Sequence, residues 1–213
     1  MKSVAVVTAK RFTQAKQRLA GSVSAELRRE LVEAMLGDVL EAVSKSRMIS
    51  DTVVVTGEEA AASLAESFGA HVVHDPDDIS HSEAALMGVA RAEQLGAECV
   101  TLLPGDCPLL DPRELDSVLT GLPNPYVAVV PDRHGTGTNA LVLVPPRAIR
   151  PAFGEGSCAR HLDLASQAGI PHSLDELPTL SLDLDTPADI VALTSAIDMA
   201  GGQAVRTAKV LGI

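Results

Sequence analysis

The stretch Cys99-Val-Thr-Leu-Leu-Pro-Gly-Asp-Cys-Pro-Leu-Leu110 decides the fold class. Its first five residues form a short apolar run of the length a buried strand needs. Pro104 and Gly105 end that run, and Asp106 stands just beyond the break. A helix is expected to open at Asp111 or Pro112, because Asp caps helix starts and Pro suits the first turn. Strand, turn and helix in that order are the repeating unit of an α/β protein.

The same unit recurs on both sides. Upstream, Ser3 to Ala9 is Val-rich and reads as a buried strand. Ser24 to about Lys45 reads as a helix capped by Ser24, with Leu27, Leu31, Ala34, Met35, Val39 and Leu40 as its apolar stripe. Thr52 to Thr56 is the next strand, Glu58 to Phe68 the next helix, and Gly69 falls where a helix-ending glycine belongs. His71 to Val73 is a short strand, and Ser82 to about Leu95 a helix. Downstream, Tyr126 to Val130 and Asn139 to Val144 read as two strands joined by a polar, glycine-rich loop. Ser157 to Ala168 reads as a helix, Leu180 to Leu184 as a strand, and Pro187 to about Met199 as a helix with Pro in its first turn. The last residues, from Gly201, read as a short helix or a tail. This order predicts one α/β domain over residues 1–213, with a mostly parallel central sheet flanked by helices. Ligands in such sheets bind at the carboxyl ends of strands, so the loops there are where chemistry is sought.

Composition narrows the partners. Apolar residues are 46% of 213 and charged residues 21%, which suits a chain with a sizeable core. Aromatics are only 2%, with no Trp, so the core is built from Val, Leu, Ile and Ala. The formal net charge of −11 argues against nucleic acid or an anionic membrane as partner. It is compatible with phosphorylated small molecules where a metal ion and a few cations reverse the local field. Cys99, Cys107 and Cys158 are odd in number and lack zinc-type spacing. No run is long enough for a signal peptide or a membrane span, and a reducing cytoplasm is the expected location.

Five segments carry candidate chemistry. The loop after the first strand holds Lys10, Arg11, Lys16 and Arg18, four cations suited to triphosphate oxygens and to charge developing at a transferred phosphorus. A solvated basic loop would have the same composition. The segment is not a P-loop, since GxxxxGK[ST] is absent. Asp106, in a Pro-Gly turn at a strand end, is well placed for Mg²⁺, which takes one or two carboxylates plus phosphate oxygens and water. Turn capping is the alternative role. Asp183 and Asp185, two apart on the expected strand, face the same side, an arrangement that calls for a nearby cation. Asp183 is assigned to metal. Asp185 competes with Thr186 as cap of the following helix and is assigned to structure or to the surroundings of the metal. Asp132 to Asn139 offers glycine-freed N–H groups as an anion nest, with Arg133 and His134 as further donors; a plain hairpin turn is the bland reading. Ser157 opens a helix whose N-terminus suits a carboxylate or phosphate, with Arg160 and His161 in its first turns. An ordinary helix cap with a surface Arg would look alike. His71, His74, His81 and His172 show no ligand spacing, and Cys107 lacks a partnered base.

Five motifs occur in order: AKxRL (Ala15 to Leu19), GDCPLL (Gly105 to Leu110), PDRHGTGTNAL (Pro131 to Leu141), FGxGSxARH (Phe153 to His161) and LDxDTPAD (Leu182 to Asp189). Together they resemble the phospholactate/phosphoenolpyruvate guanylyltransferases of coenzyme F-420 biosynthesis, the CofC/FbiD family, up to about Asp198. The Asp-Cys-Pro turn and the early basic loop are shared more widely with GT-A-like nucleotidyltransferases, including the molybdopterin guanylyltransferases. The resemblance implies a GT-A/MobA-like nucleotidyltransferase fold and transfer of GMP from GTP to a small phosphoacid, with release of pyrophosphate. It implies Mg²⁺ on Asp106 and Asp183. It implies the phosphoacid on Thr138, Gly154 and Ser157, and GTP phosphates near Lys16 and Arg18, with Lys10 and Gly105 beside them. Two departures stand out. Related members often carry a Leu-Asn pair where this chain has Ile79-Ser-His-Ser82, and a proline is expected beside Lys10. GTP and a phosphoacid are therefore the expected partners, and homodimer formation is left open. The competing readings are a molybdenum-cofactor or sugar-phosphate nucleotidyltransferase, and a noncatalytic nucleotide-binding module.

Overall fold

The computed structural model describes residues 1–12, 15–16, 19–200 and 202–213. Alternation of Val4 and Val6 with Ala5 and Val7 sends β1 (Ser3–Ala9) side chains to both faces, and all four are fully buried. β1 is an interior strand, next to the central β4, of a seven-stranded sheet ordered β3-β2-β1-β4-β6-β5-β7. The other strands are β2 (Ile49–Thr56), β3 (His71–His74), β4 (Cys99–Pro104), β5 (Tyr126–Pro131), β6 (Thr138–Val144) and β7 (His172–Leu174). β1 pairs in parallel with β2 and β4, β2 with β3, and β5 with β7. Only β6 runs against its neighbours β4 and β5.

Helices cover both faces. α1 (Ala25–Lys45), α2 (Glu59–Ser67), α4 (Pro112–Leu119), α6 (Pro187–Ala200) and α7 (Val205–Leu211) close one core. α3 (His81–Gln94) and α5 (Ser157–Gln167) close the other. α1 starts where Ser24 Oγ accepts the Leu27 N–H at 3.1 Å, and α4 where Asp111 Oδ1 accepts from Arg113 N at 2.7 Å. Gly88 lets α3 lie close on the sheet, since a Cβ there would sit 2.2 Å from Val6 Cγ1. α7 docks on α1: the buried Asp38 accepts from Arg206 N (3.0 Å), Thr207 N (2.9 Å) and Thr207 Oγ1 (2.7 Å). Among the described residues no helix is long and apolar enough to cross a membrane.

Two local expectations fail. Leu180 to Leu184 is not a strand. It is a 3₁₀ turn over Pro178–Leu180 followed by irregular chain. Leu180 and Leu184 are buried as the alternation implied, but β3 and β7 form the sheet edges and this segment pairs with neither. Instead it lies across strand ends, with Leu180 O taking the Asn139 side-chain N–H (2.7 Å) and Ser181 O the Arg133 N–H (3.1 Å). β7, only three residues long, was not foreseen.

Candidate active site

The chain leaves β1 toward β2 on one side and later returns to place β4 on the other, so the strand order reverses between β1 and β4. A crevice opens at the carboxyl ends of strands at such a point. Here it is a cavity of about 350 Å³. Thr8 and Ala9 at the end of β1 and Lys10 just after it line one wall, with Gly105 and Asp106 after β4. Asp75, Asp78, Ser80 and His81 line the opposite wall. Gly105 keeps the two loops together, because a Cβ there would meet Leu36 Cδ1 at 3.2 Å and Thr8 O at 3.3 Å. Arg11 ties the walls, donating from Nη2 to Pro76 O at 2.9 Å.

Lys16 enters this cavity from a left-handed backbone conformation (φ 54°) that L side chains rarely adopt, so its place is set by what its side chain meets. Its ammonium pairs with Asp106 Oδ2 and, at 2.8 Å, with Asp185 Oδ1. Burial alone would favour the neutral amine, but the two facing carboxylates outweigh it and hold the ammonium above its ordinary range. Asp183 shares the cluster. Burial, then the charges of Asp106 and Asp185, push its carboxyl up to about 6. The carboxylates of Asp106, Asp183 and Asp185 thus gather around the Lys16 ammonium. The described residues hold no group of three or more His, Cys, Asp or Glu placed to grip a metal by themselves. The donor set fits Mg²⁺, a hard cation that needs only one or two carboxylates when phosphate and water supply the rest.

Asp185 competed with Thr186 as cap of α6. Asp189, in the first turn of α6, reaches back instead, its Oδ2 accepting from Asp185 N (2.9 Å), Thr186 N (2.6 Å) and Thr186 Oγ1 (2.9 Å). That frees the Asp185 carboxylate to face Lys16. Cys107 beside the cluster is fully buried, and its thiol is held protonated by burial and by Asp106. Arg18 lies outside the described residues.

The expected anion nest is already filled. Asp132 Oδ1 accepts from His134 N and Thr136 N, each at 3.0 Å, and Oδ2 from Gly137 N at 2.9 Å. Arg133 pairs with Asp189 and so anchors the hairpin loop to the start of α6. His134 is exposed and accepts from Arg133 Nε at 3.1 Å. Arg160 is likewise committed, to Ala152 O (2.7 Å) and Glu155 O (2.6 Å). Ser157 is not a helix cap. Gly156, in a left-handed conformation (φ 68°), precedes α5, and Ser157 is its buried first residue. The first N–H groups are spent on Gly154 O and Thr136 O, both at 3.1 Å. Arg160 and the leading N–H groups of α5 are thus spent on backbone carbonyls, and Arg133 on Asp189 and His134. Ser157 is bonded to Gly154 at the start of α5, and Thr138 at the start of β6 is tied to the same helix, its Oγ1 3.0 Å from His161 Nδ1.

The family model described as "Guanylyl transferase CofC like" matches residues 3–204. The chain belongs to this family. It is 43% identical to the phosphoenolpyruvate guanylyltransferase of Conexibacter woesei, over 99% of this chain and 96% of that protein. It is 36% identical to the phosphoenolpyruvate guanylyltransferase of Sphaerobacter thermophilus, over 91% and 93%. Among solved structures, a nucleotidyl transferase from Methanothermobacter superposes with a TM-score of 0.66 at 19% identity, covering 93% of this chain and 98% of that one. That likeness supports the GT-A-like nucleotidyltransferase fold.

Within this CofC-like fold two histidines matter: His161 of the Phe153 to His161 segment, and His81, which showed no ligand spacing. His81 lines the cavity and stacks on Phe153, with ring centroids 4.0 Å apart. Phe153 meets His161 edge-on at 5.2 Å. Burial lowers both imidazoles to about 4, so both are neutral at physiological pH. The only sequence sign was that Phe153 and His161 share one motif; His81 gave none.

Proposed function

We propose that this CofC-like guanylyltransferase transfers GMP from GTP to the phosphate of phosphoenolpyruvate or 2-phospho-L-lactate, releasing pyrophosphate, in coenzyme F-420 biosynthesis. The observation that carries this is the cluster of Lys16, Asp106, Asp183 and Asp185, of which Lys16, Asp106 and Asp185 line the switch-point cavity. A nucleoside triphosphate needs cations at its phosphates, and a cavity of this size suits a nucleoside. Phosphoenolpyruvate is the favoured acceptor, because it is the one named for the relatives at 43% and 36% identity.

Asp106 and Asp183 would hold Mg²⁺, with Asp185 beside them, and the ion would supply charge neutralisation on the triphosphate. Lys16 binds and orients phosphate oxygens, joined by Lys10 at the rim and by Arg18 from the same loop. Gly105 leaves room for the nucleotide against β4. Thr138, Gly154 and Ser157 hold the acceptor acid. The acceptor phosphate then attacks the α-phosphorus in line, and pyrophosphate leaves. A phosphate is already ionised at neutral pH, so no side chain has to act as general base; positioning and charge carry the rate. The test is pyrophosphate release with GTP, phosphoacid and Mg²⁺. Release should require all three, and Asp106→Asn and Asp183→Asn should each raise the magnesium requirement. Full activity of either variant at limiting magnesium would refute the assignment.

A further inference from the structure

We propose that His161 is a positioning residue for the phosphoacid: it fixes the hydroxyl of Thr138 as a hydrogen-bond donor toward the acceptor. This rests on the reading of Thr138 as part of the acceptor site.

The polarity of the chain of bonds follows from one contact. Ala152 N lies 2.8 Å from His161 Nε2. A backbone N–H only donates, so Nε2 is the unprotonated nitrogen. The ring is fully buried, and it faces the cationic Arg160 and, across Phe153, His81, which disfavour a second proton. The single ring proton is therefore on Nδ1, 3.0 Å from Thr138 Oγ1. Nδ1–H donates, and Thr138 Oγ1 accepts. The threonine's own proton then has no partner among the described residues and is free to donate to an anion. In the opposite tautomer Nδ1 would take that proton, and the site would offer an anion only lone pairs.

The ring cannot turn to swap these roles. Phe153 packs on its edge, and Phe153 is itself clamped by the His81 stack and by the bond from its N–H to Ser82 Oγ at 2.9 Å. The row His81–Phe153–His161 also joins the nucleotide cavity to the acceptor side, so the donor keeps a fixed place relative to the nucleotide. The chain of donors, Ala152 N–H to His161 to Thr138 to ligand, ends on an acidic substrate.

Two substitutions separate the nitrogens. His161→Asn places an amide NH₂ near the Nδ1 position and retains donation to Thr138. His161→Gln reaches the Nε2 position and leaves Thr138 without its donor. Steady-state kinetics should show the acceptor KM raised about tenfold in His161→Gln, with the GTP KM unchanged and His161→Asn within about threefold of wild type. In a Thr138→Val background, His161→Gln should add nothing further. Equal acceptor KM in His161→Gln and wild type, or an undiminished effect in the Thr138→Val background, would overturn the proposal. ¹⁵N-histidine NMR of the unmodified protein tests it without relying on any variant to fold: a neutral ring protonated at Nδ1 is expected at pH 7, and an Nε2–H ring would overturn it. Wild-type turnover with no phosphoacid would instead refute the proposed function, leaving the tautomer result to stand or fall separately.

Discussion

Replacing Lys16 by Met removes the ammonium that pairs with Asp106 and Asp185 and should separate stability from activity. The Lys16 side chain is 7% exposed, but its partners Asp106 and Asp185 are 27% and 46% exposed. Breaking a fully buried ion pair costs about 3–5 kcal/mol, and an exposed pair is worth about 0–1 kcal/mol. The partners' exposure places this cluster between the two, at about 2 kcal/mol. In a chain of this size that is a melting-temperature fall of roughly 4–8 °C. Loss of a preorganised charge at the transferred group costs far more in rate, about 10²–10³-fold in kcat. Urea unfolding reads the first quantity, and pyrophosphate release at 25 °C, where the variant stays folded, reads the second. A kcat within tenfold of wild type at saturating magnesium would refute the role given to Lys16. So would an activity loss that merely tracks the unfolded fraction.

Three further outcomes follow from buried groups and close approaches. His161 is neutral when folded and takes a proton only near pH 4, whereas the unfolded ring takes one near 6.5. Its contribution is therefore present above pH 6.5 and is lost as pH falls toward 4, by up to about 3 kcal/mol; urea midpoints should fall less steeply over that window in His161→Asn, and parallel slopes would refute this. Gly88→Ala puts a Cβ 2.2 Å from Val6 Cγ1, so overpacking should destabilise the fold by about 1–3 kcal/mol, with Val6→Ala restoring part of it in denaturant titrations. Asp38→Ala leaves Arg206 N and Thr207 N without their charged acceptor and should lower stability by about 2–3 kcal/mol while speeding proteolysis at the C-terminus. Unchanged kcat in that variant would agree with α7 contributing no residue to the cavity lining.

Much of this fold was legible because its signals are local. Ser24 and Asp111 cap helices by contacts within three residues, and β1 and β4 announce themselves as short, mostly apolar runs. Asp106 and Lys16, singled out because strand ends direct attention to the loops that follow, are brought together as an ion pair. What was misread depends on partners distant in sequence. Leu180 and Leu184 alternate like a strand, but no sheet edge is free beside them. The glycines and threonines of 133–138 resemble an anion nest, and they are one, but Asp132 is the anion. An Asp whose carboxylate can reach N–H groups two to five residues on was the available clue. His81 and His161 are eighty residues apart and meet only through Phe153.

The central claim is transfer of GMP onto a small phosphoacid. ATP, CTP, GTP and UTP, each incubated with phosphoenolpyruvate, phospholactate and phosphoglycerate in Mg²⁺ buffer, with products identified by mass, test it most directly. The account predicts a guanylylated acid from GTP with phosphoenolpyruvate or phospholactate, together with pyrophosphate. No nucleotidylated acid from any combination would contradict it.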